Sequence, residues 1–219
     1  MGKADNAALA RASPAPVAGM PRAAKSGARA AAQRERILAA AQKCFIDHGF
    51  HAASMASIAQ TAQMSPGLMY RYFPSKSAIV LAIIDRQLQE ARVKIAELHA
   101  SADIVSSLCR SFEQWRTCDP EAMSVALFLA MGADARRDPQ IAAALRASDL
   151  LTRADLMVWL GASAADGGCG LGSDAVESRA ILLQCVVEGL AIRAVREPDL
   201  DIDKLGPALH QLFDRLLAP

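Results

Sequence analysis

The sequence is poor in aromatic residues and contains no long apolar run. Phe, Trp and Tyr make up 5% of its 219 residues. The richest apolar run, AILLQCVVEGLAI, is interrupted by Gln184 and Glu188, so it falls short of the roughly 20 apolar residues that span a bilayer. No apolar signal segment accompanies the basic residues near the N-terminus. We therefore expect no membrane partner and a cytoplasmic location.

Patterns typical of metal sites, disulfide frameworks and catalysis are also missing. Five cysteines lack C-x-x-C spacing, and four histidines lack metal-ligand spacing. Small apolar roles in a reducing compartment explain the cysteines better than a redox sensor does. The Gly-rich segment GASAADGGCGLGSD (161–174) lacks the phosphate-binding pattern G-x-x-x-x-G-K-[ST], and we expect it to be a flexible link. With no nucleophile–base arrangement, the sequence predicts no enzyme, no cofactor and no metal.

Charge is distributed unevenly along the chain, although the formal net charge is only +1. Residues 1–76 contain ten basic and three acidic residues, whereas residues 77–219 contain fourteen basic and twenty acidic residues. The first part therefore carries +7 and the second −6. This asymmetry indicates an anionic partner for the first part alone, and nucleic acid is the leading candidate.

Residues 1–30 are dominated by Ala, Pro, Gly and Ser, which predicts a disordered basic tail. Helical patterning begins at Gln33, and Gly49 ends the first helix. A second helix is expected after Ser54, which is a good N-cap. The connection Gln63-Met64 leads to a third helix over 66–73. Two short helices joined by a tight turn are typical of a helix-turn-helix.

Both tyrosines of the chain lie in the segment SPGLMYRYFPSK (65–76). Residues four apart share one face of a helix, so Met69 and Phe73 are expected to point inward together. Tyr70, Tyr72 and Arg71 are then left on the outer side, as a surface that touches something polar.

The remainder of the sequence is also predicted to be helical, because β-branched residues are few and Gly and Pro are sparse. The pattern places helices over 75–98, 103–117, 120–133, 139–160, 174–196 and 203–217. The fold class is therefore all-α, and we find no internal repeat.

The run RERILAAAQKCFIDHGFHAASMASIAQTAQMSPGLMYRYFPSKSAIVLAIID (34–85) resembles the N-terminal DNA-binding domain of the TetR/AcrR family of bacterial transcriptional regulators. The resemblance implies a three-helix DNA-binding domain at 31–76, after the tail at 1–30, and a helical ligand-binding and dimerisation domain at 77–219. The chain departs from the family where Gln63 replaces a usual Gly and Ser57 replaces an acidic residue. We expect the second change to remove the capping box that begins at Ser54.

The resemblance assigns roles at the DNA. It implies that Tyr70 and Tyr72 donate hydrogen bonds to phosphates, and Gly67 and Leu68 then face base edges, where Leu contacts a thymine methyl. Arg71 is placed to reach either a phosphate or a guanine, and the sequence does not choose between them. Lys76 is expected to hold a phosphate at the start of the next helix. The full set of predicted DNA-binding residues is Ser54, Ser65, Pro66, Gly67, Leu68, Tyr70, Arg71, Tyr72 and Lys76.

The resemblance also implies an inducer pocket among the later helices, and the alternative for its residues is an ordinary core. Aromatic residues and methionines on three of those helices are the predicted ligand-binding residues: Phe112, Trp115, Met123, Phe128, Met131, Met157 and Trp159.

The last two predicted helices are apolar over broad sectors, which requires a partner in addition to their own core. The family's four-helix dimer interface supplies one, and burial within the monomer is the alternative. The predicted interface residues are Leu182, Val186, Leu190, Leu209 and Phe213.

These features predict a ligand-responsive DNA-binding transcriptional regulator. As a homodimeric repressor, it would leave a pseudopalindromic operator on double-stranded DNA when a small apolar or amphipathic molecule binds. The alternative is a helical small-molecule-binding or protein-interaction module with weak or no DNA binding.

Overall fold

The computed structural model describes residues 22–101, 103–119 and 124–218, and over these residues it is all-helical without a strand. The predicted all-α fold class is confirmed. The elements in chain order are α1 (Arg22–His48), α2 (Met55–Thr61), α3 (Pro66–Tyr70), α4 (Lys76–Ser101), α5 (Ile104–Arg116), α6 (Val125–Asp134), α7 (Pro139–Gly161), a 3-10 helix (Ala164–Asp166), α8 (Ser173–Arg196) and α9 (Ile202–Leu216).

The chain divides into two compact units, residues 1–35 and 36–219. In the first unit, α1 begins at Arg22, which differs from the tail predicted at 1–30: residues 22–30 are helical, and residues 1–21 lie outside the described residues. The second unit holds every contact considered below.

The second unit contains two apolar cores. The first, the N-terminal core, is built by α1, α2, α3 and the beginning of α4, and it extends along α4 as far as Ile84. Leu127 and Met131 of α6 and Ile141 of α7 complete this core. The second core is formed by the far end of α4 with α5, α7, α8 and α9. One long helix, α4, therefore contributes to both cores, and the division at residues 76 and 77 stays a prediction.

The N-terminus of α2 corrects one expectation. Ser54 Oγ accepts from Ser57 N at 3.0 Å, and Ser57 Oγ accepts from Ser54 N at 2.8 Å. These two bonds form the reciprocal pattern of a capping box. The expected loss of the box is wrong, because a serine hydroxyl reaches the Ser54 amide as a longer acidic side chain does.

The Gly-rich segment between α7 and α8 is not the flexible link that was expected. Leu171 N donates to Leu160 O at 3.0 Å, and Gly170 N donates to Ala162 O at 2.8 Å. Gly167 has φ of 76°, and a Cβ at this position would lie 2.0 Å from His99 O. The loop is thus hydrogen-bonded to the end of α7 and packs directly against the end of α4.

Candidate nucleic-acid interface and ligand cavity

The turn between α2 and α3 tolerates a residue other than glycine. Gln63 has φ of 51°, which is the left-handed conformation that costs a side-chain-bearing residue roughly 1–2 kcal/mol. Met64 N donates to Ala59 O at 2.9 Å, and Arg36 Nη2 donates to Gln63 O at 3.1 Å. These bonds support the turn, so the change from Gly leaves the helix-turn-helix geometry intact.

The α3 helix buries one side and exposes the other, as its spacing predicts. Met69 is fully buried and Phe73 is 2% exposed. Tyr70 is 52% exposed, while Tyr72 is half-buried and packs against the N-terminal core. The helix ends at Tyr70, earlier than predicted, and the chain continues as a turn through Arg71.

The other predicted DNA-binding residues of this region form one accessible surface around α3. Ser65 Oγ accepts from Leu68 N at 3.3 Å and caps the helix, as Ser54 caps α2. Ser54 Oγ also donates to Ser57 Oγ at 3.2 Å. We call the following residues the α3 surface, which is exposed except for half-buried Leu68: Ser54, Ser65, Pro66, Gly67, Leu68, Tyr70 and Arg71.

Lys76 has a different environment from the phosphate contact that was expected. Its Nζ donates to Phe50 O at 2.8 Å and to Ala53 O at 3.1 Å. The same atom lies 4.4 Å from the centre of the Phe50 ring, a cation–π distance. Burial lowers the pKa of Lys76. The ammonium therefore fixes the segment between α1 and α2 rather than pointing away from the domain.

A cavity of about 220 Å³ lies among α4, α5, α6, α7 and α8. Of the predicted ligand-binding residues, Trp115 and Phe128 line it. Phe112 and Trp159 are instead buried in the second core, with Met157 packed against that core. None of these three side chains lines the cavity.

Two further predicted ligand residues also do not line the cavity. Met131 belongs to the N-terminal core, because the face of α6 that carries it packs toward α1–α4. Met123 lies outside the described residues.

Most of the cavity wall consists of residues that the sequence reading missed. They are mostly aliphatic, with some polar and charged residues, and none is aromatic. The one sequence feature that could have indicated them is the apolar spacing along α4, because this helix lines one side of the cavity from Ile84 to Leu98. The missed residues include Ile84, Leu88, Ala91, Ile95, Leu98, Leu108, Leu145, Thr152, Leu156, Leu183, Val187 and Ala191.

Polar groups lie on two sides of this apolar cavity. On α4 and α5, Lys94 Nζ donates to Ser111 Oγ at 3.3 Å, and burial lowers the pKa of Lys94. On α7 and α8, Asp149 and Glu188 line the cavity. Desolvation raises the pKa of both carboxyl groups, and the charge of Asp149 raises the pKa of Glu188 further.

The predicted dimer residues divide into two groups. Leu190, Leu209 and Phe213 are at most 8% exposed and belong to the second core, so their burial is explained within the chain. Leu182 is 50% exposed, and Val186 is half-buried. Other exposed apolar residues on α8 and α9 are Ile181, Val195 and Leu212. The apolar surface available to a partner is therefore centred on Leu182.

The cavity touches the N-terminal core through shared residues. Ile84 belongs to that core and also lines the cavity. On α7, Leu145 packs against the same core and lines the same cavity. Polar contacts join the corner between α6 and α7 to the N-terminal helices: Ser77 Oγ donates to Asp138 Oδ2 at 3.0 Å, and His51 Nε2 lies 3.0 Å from Asp134 Oδ1.

Two structural features are absent from the described residues. No helix there is long and apolar enough to cross a membrane. Over the same residues, no group of three or more His, Cys, Asp or Glu side chains is arranged to hold a metal ion.

Comparison with known families and proteins gives matches to regulators. Residues 37–83 match the model of the bacterial regulatory proteins, tetR family. The chain is 36% identical over 118 residues to the HTH-type transcriptional regulator UidR of Escherichia coli (strain K12), and this alignment covers 52% of this chain and 57% of that protein. It is 32% identical over 132 residues to the HTH-type transcriptional regulator BetI of Rhizobium meliloti (strain 1021), covering 58% and 64%. The alignment thus spans less than two thirds of either relative.

Solved structures match over more of their length. Salmonella enterica GusR aligns with a TM-score of 0.69 at 29% identity, covering 84% of this chain and 95% of that one. A SmeT–triclosan complex aligns with a TM-score of 0.67 at 22% identity, covering 84% and 91%. The second likeness shows the shared fold alone.

Proposed function

Because this chain belongs to the tetR family of bacterial regulatory proteins, we propose that it is a ligand-responsive, DNA-binding transcriptional regulator. The observation that carries the proposal is the accessible α3 surface on a helix-turn-helix whose turn keeps its geometry. As a homodimeric repressor it binds a pseudopalindromic operator, and a small apolar or amphipathic molecule releases it. This role belongs in the bacterial cytoplasm, where chromosomal DNA lies.

At the DNA, α3 enters the major groove and its flanking residues hold the backbone. The exposed hydroxyl of Tyr70 and the guanidinium of Arg71 contact phosphates, which fixes register without reading sequence. Gly67 permits close approach to the bases, and Leu68 contacts a thymine methyl group. Tyr72, half-buried, reaches the backbone with its hydroxyl alone. Lys76 is left out of this set because its ammonium is bonded to two carbonyl groups.

Two protomers pair through the exposed apolar surface of α8 and α9 around Leu182. A twofold dimer presents two α3 helices to successive turns of the duplex. Gly189 supports close approach of a second helix, since it is exposed and nothing lies within 4 Å of the place its Cβ would take. Leu182 and Val186 stay in the proposed interface, whereas Leu190, Leu209 and Phe213 serve the protomer's own core.

The ligand acts through α4 and the corner between α6 and α7. A molecule in the cavity contacts α4 at Ile84 and beyond, on the helix that begins six residues after α3 ends. It also contacts Phe128 and Leu145, which flank that corner. Movement of these elements displaces the N-terminal core and changes the distance between the two α3 helices. The ligand shifts DNA affinity only as far as it prefers the released form.

The alternative, a ligand-binding or interaction module with weak or no DNA binding, depended on the change from Gly to Gln63 and on the altered second helix, whose capping box Ser54 and Ser57 form nevertheless. Since Gln63 adopts the left-handed conformation and its carbonyl is held by Arg36, the DNA-binding reading is favoured.

Selection of duplexes from a random pool by the purified full chain tests the proposal. We expect enrichment of a sequence with two inverted half-sites, and loss of enrichment when Tyr70 and Arg71 are both replaced by Ala. A pool that stays random after several rounds, with a folded protein, would refute the proposed DNA-binding function.

A further inference from the structure

Trp115 carries a hydrogen-bond donor that finds no partner within the described part of the chain. The residue is 5% exposed and lines the cavity, and its indole Nε1 is buried without an acceptor there. Trp159 shows the usual arrangement, because its Nε1 donates to Gly167 O at 3.2 Å. Buried indole N–H groups normally find such a partner, so Trp115 is the exception that needs an explanation.

A second donor on the same side of the cavity shares this property. Gln87 lines the cavity from α4, and its Nε2 is buried without a partner among the described residues. Lys94, two helical turns further along α4, adds an ammonium bonded to Ser111 Oγ. The side formed by α4 and α5 therefore presents donors, whereas the cavity is otherwise mostly aliphatic.

We propose that the cavity takes an apolar molecule carrying an oxygen acceptor, a carbonyl or a carboxylate, and that this oxygen accepts hydrogen bonds from Trp115 Nε1 and Gln87 Nε2. The proposal rests on the proposed function, since it specifies the chemistry of the regulator's ligand. At about 220 Å³ the cavity exceeds the roughly 150 Å³ apolar cavity that admits benzene. A substituted single ring is thus a suitable probe.

The charge of the acceptor follows from the remaining polar residues. Lys94 attracts an anion, whereas Asp149 and Glu188 on the opposite side repel one. An indole N–H donates to a neutral carbonyl and to a carboxylate alike, so the shared chemistry is the acceptor oxygen. Matched neutral and anionic probes distinguish a carbonyl ligand from a carboxylate ligand.

The test uses four phenyl compounds of equal size and the full chain labelled with ¹⁵N-tryptophan. Acetophenone offers a neutral carbonyl, benzoate a carboxylate, and 1-phenylethylammonium a cation, while α-methylstyrene replaces the acetophenone oxygen by a methylene group. Each compound is titrated while the two indole N–H resonances are followed by NMR, and Trp159→Phe assigns them. We expect acetophenone or benzoate to bind about fivefold more tightly than α-methylstyrene and to move the Trp115 resonance downfield.

Trp115→Phe keeps an apolar ring and removes one of the two donors, so it should weaken the preference, which Gln87 Nε2 then supports alone, while α-methylstyrene still binds. The matched control, Trp159→Phe, should keep the preference. Equal binding of all four probes, or tightest binding of the cation, would overturn the inference and leave the cavity as a ligand site. Failure of every probe to move the Trp115 resonance would overturn both the inference and the cavity's role, whereas DNA binding by the same sample would still be measurable.

Discussion

Tyr70 and Tyr72 lie two residues apart at the end of α3, and the structure gives them different surroundings. Tyr70 is exposed over half its surface, whereas Tyr72 packs partly against the N-terminal core. A half-buried phenol contributes to folding as well as to a phosphate contact. Tyr70 is therefore the cleaner probe of DNA binding, and Arg71, also exposed, is its charged counterpart.

Arg71 and Lys76 are both cations near α3, and we expect opposite consequences from replacing them. Arg71→Ala should weaken binding to operator and random DNA alike and reduce the slope of log affinity against log salt by about one unit. Lys76→Met should leave that slope unchanged and lower the free energy of unfolding by roughly 1–3 kcal/mol, because two charge-assisted hydrogen bonds are lost. Titrations at several salt concentrations and denaturant unfolding separate the two. A shallower salt slope for Lys76→Met would show instead that Lys76 contacts a phosphate.

Glu188 should make stability depend on pH in a defined direction. Its folded-state pKa is raised by burial and by Asp149, so its protonated form favours folding. The contribution is fully present below the unfolded pKa and is lost as pH rises through the folded pKa. Glu188→Gln should therefore raise the Tm at pH 7 and have little effect near pH 4, as measured by thermal unfolding across that range. An equal effect at both pH values would show that the carboxyl group does not titrate in this way.

At the scale of elements, the sequence predicts most helices to within a few residues, since apolar spacing and N-cap residues are local signals. The two local expectations that were wrong depend on three-dimensional contacts rather than on sequence spacing. Ser57 completes a capping box although the usual residue is acidic, and the Gly-rich loop after α7 is ordered by its bonds to that helix. Beyond Trp115 and Phe128, the lining of the cavity could not be predicted, because it depends on which faces of five helices leave space between them.

The close approach of the Gly-rich loop to α4 should be measurable. Gly167→Ala places a Cβ 2.0 Å from His99 O and keeps φ at 76°, so we expect a loss of at least about 2 kcal/mol in unfolding free energy. Gly170 also has a positive φ, 68°, but nothing lies within 4 Å of its Cβ position. Gly170→Ala is the matched control and should cost about 1 kcal/mol. Similar losses for both variants in denaturant unfolding would mean that the contact with His99 adds nothing.

The α8 helix has one apolar face in its own core and exposes apolar residues around Leu182, where we propose that a second protomer binds. Leu182→Glu changes an exposed residue, so the variant should remain folded and sediment as a monomer. Leu190→Glu instead buries an unpaired charge in the second core and should unfold the chain. Sedimentation and circular dichroism of both variants provide the comparison. If Leu182→Glu is a folded dimer, the interface lies elsewhere. If the unaltered protein is a monomer at micromolar concentration, the proposed dimer does not exist.

For the whole molecule, α4 is the element that connects the helix-turn-helix with the cavity. Its 26 residues span about 39 Å at 1.5 Å per residue, and its side chains enter the N-terminal core, the cavity and the second core. In the proposed mechanism, a ligand in the cavity therefore acts on the helix-turn-helix through α4 itself. The resemblance of residues 34–85 indicated DNA binding from the sequence alone. The proposed coupling between the cavity and the helix-turn-helix also depends on how α6 and α7 pack on both cores, which only the structure shows.

The central claim is that the α3 surface binds a specific DNA sequence. Its most direct test is an equilibrium titration of the full chain on a selected operator and on a scrambled duplex of the same length and composition, from 50 to 200 mM salt. We expect the operator to bind about 1,000-fold or more tightly, with affinity for both duplexes falling steeply as salt rises. Equal affinity for the two duplexes at every salt concentration would contradict the claim.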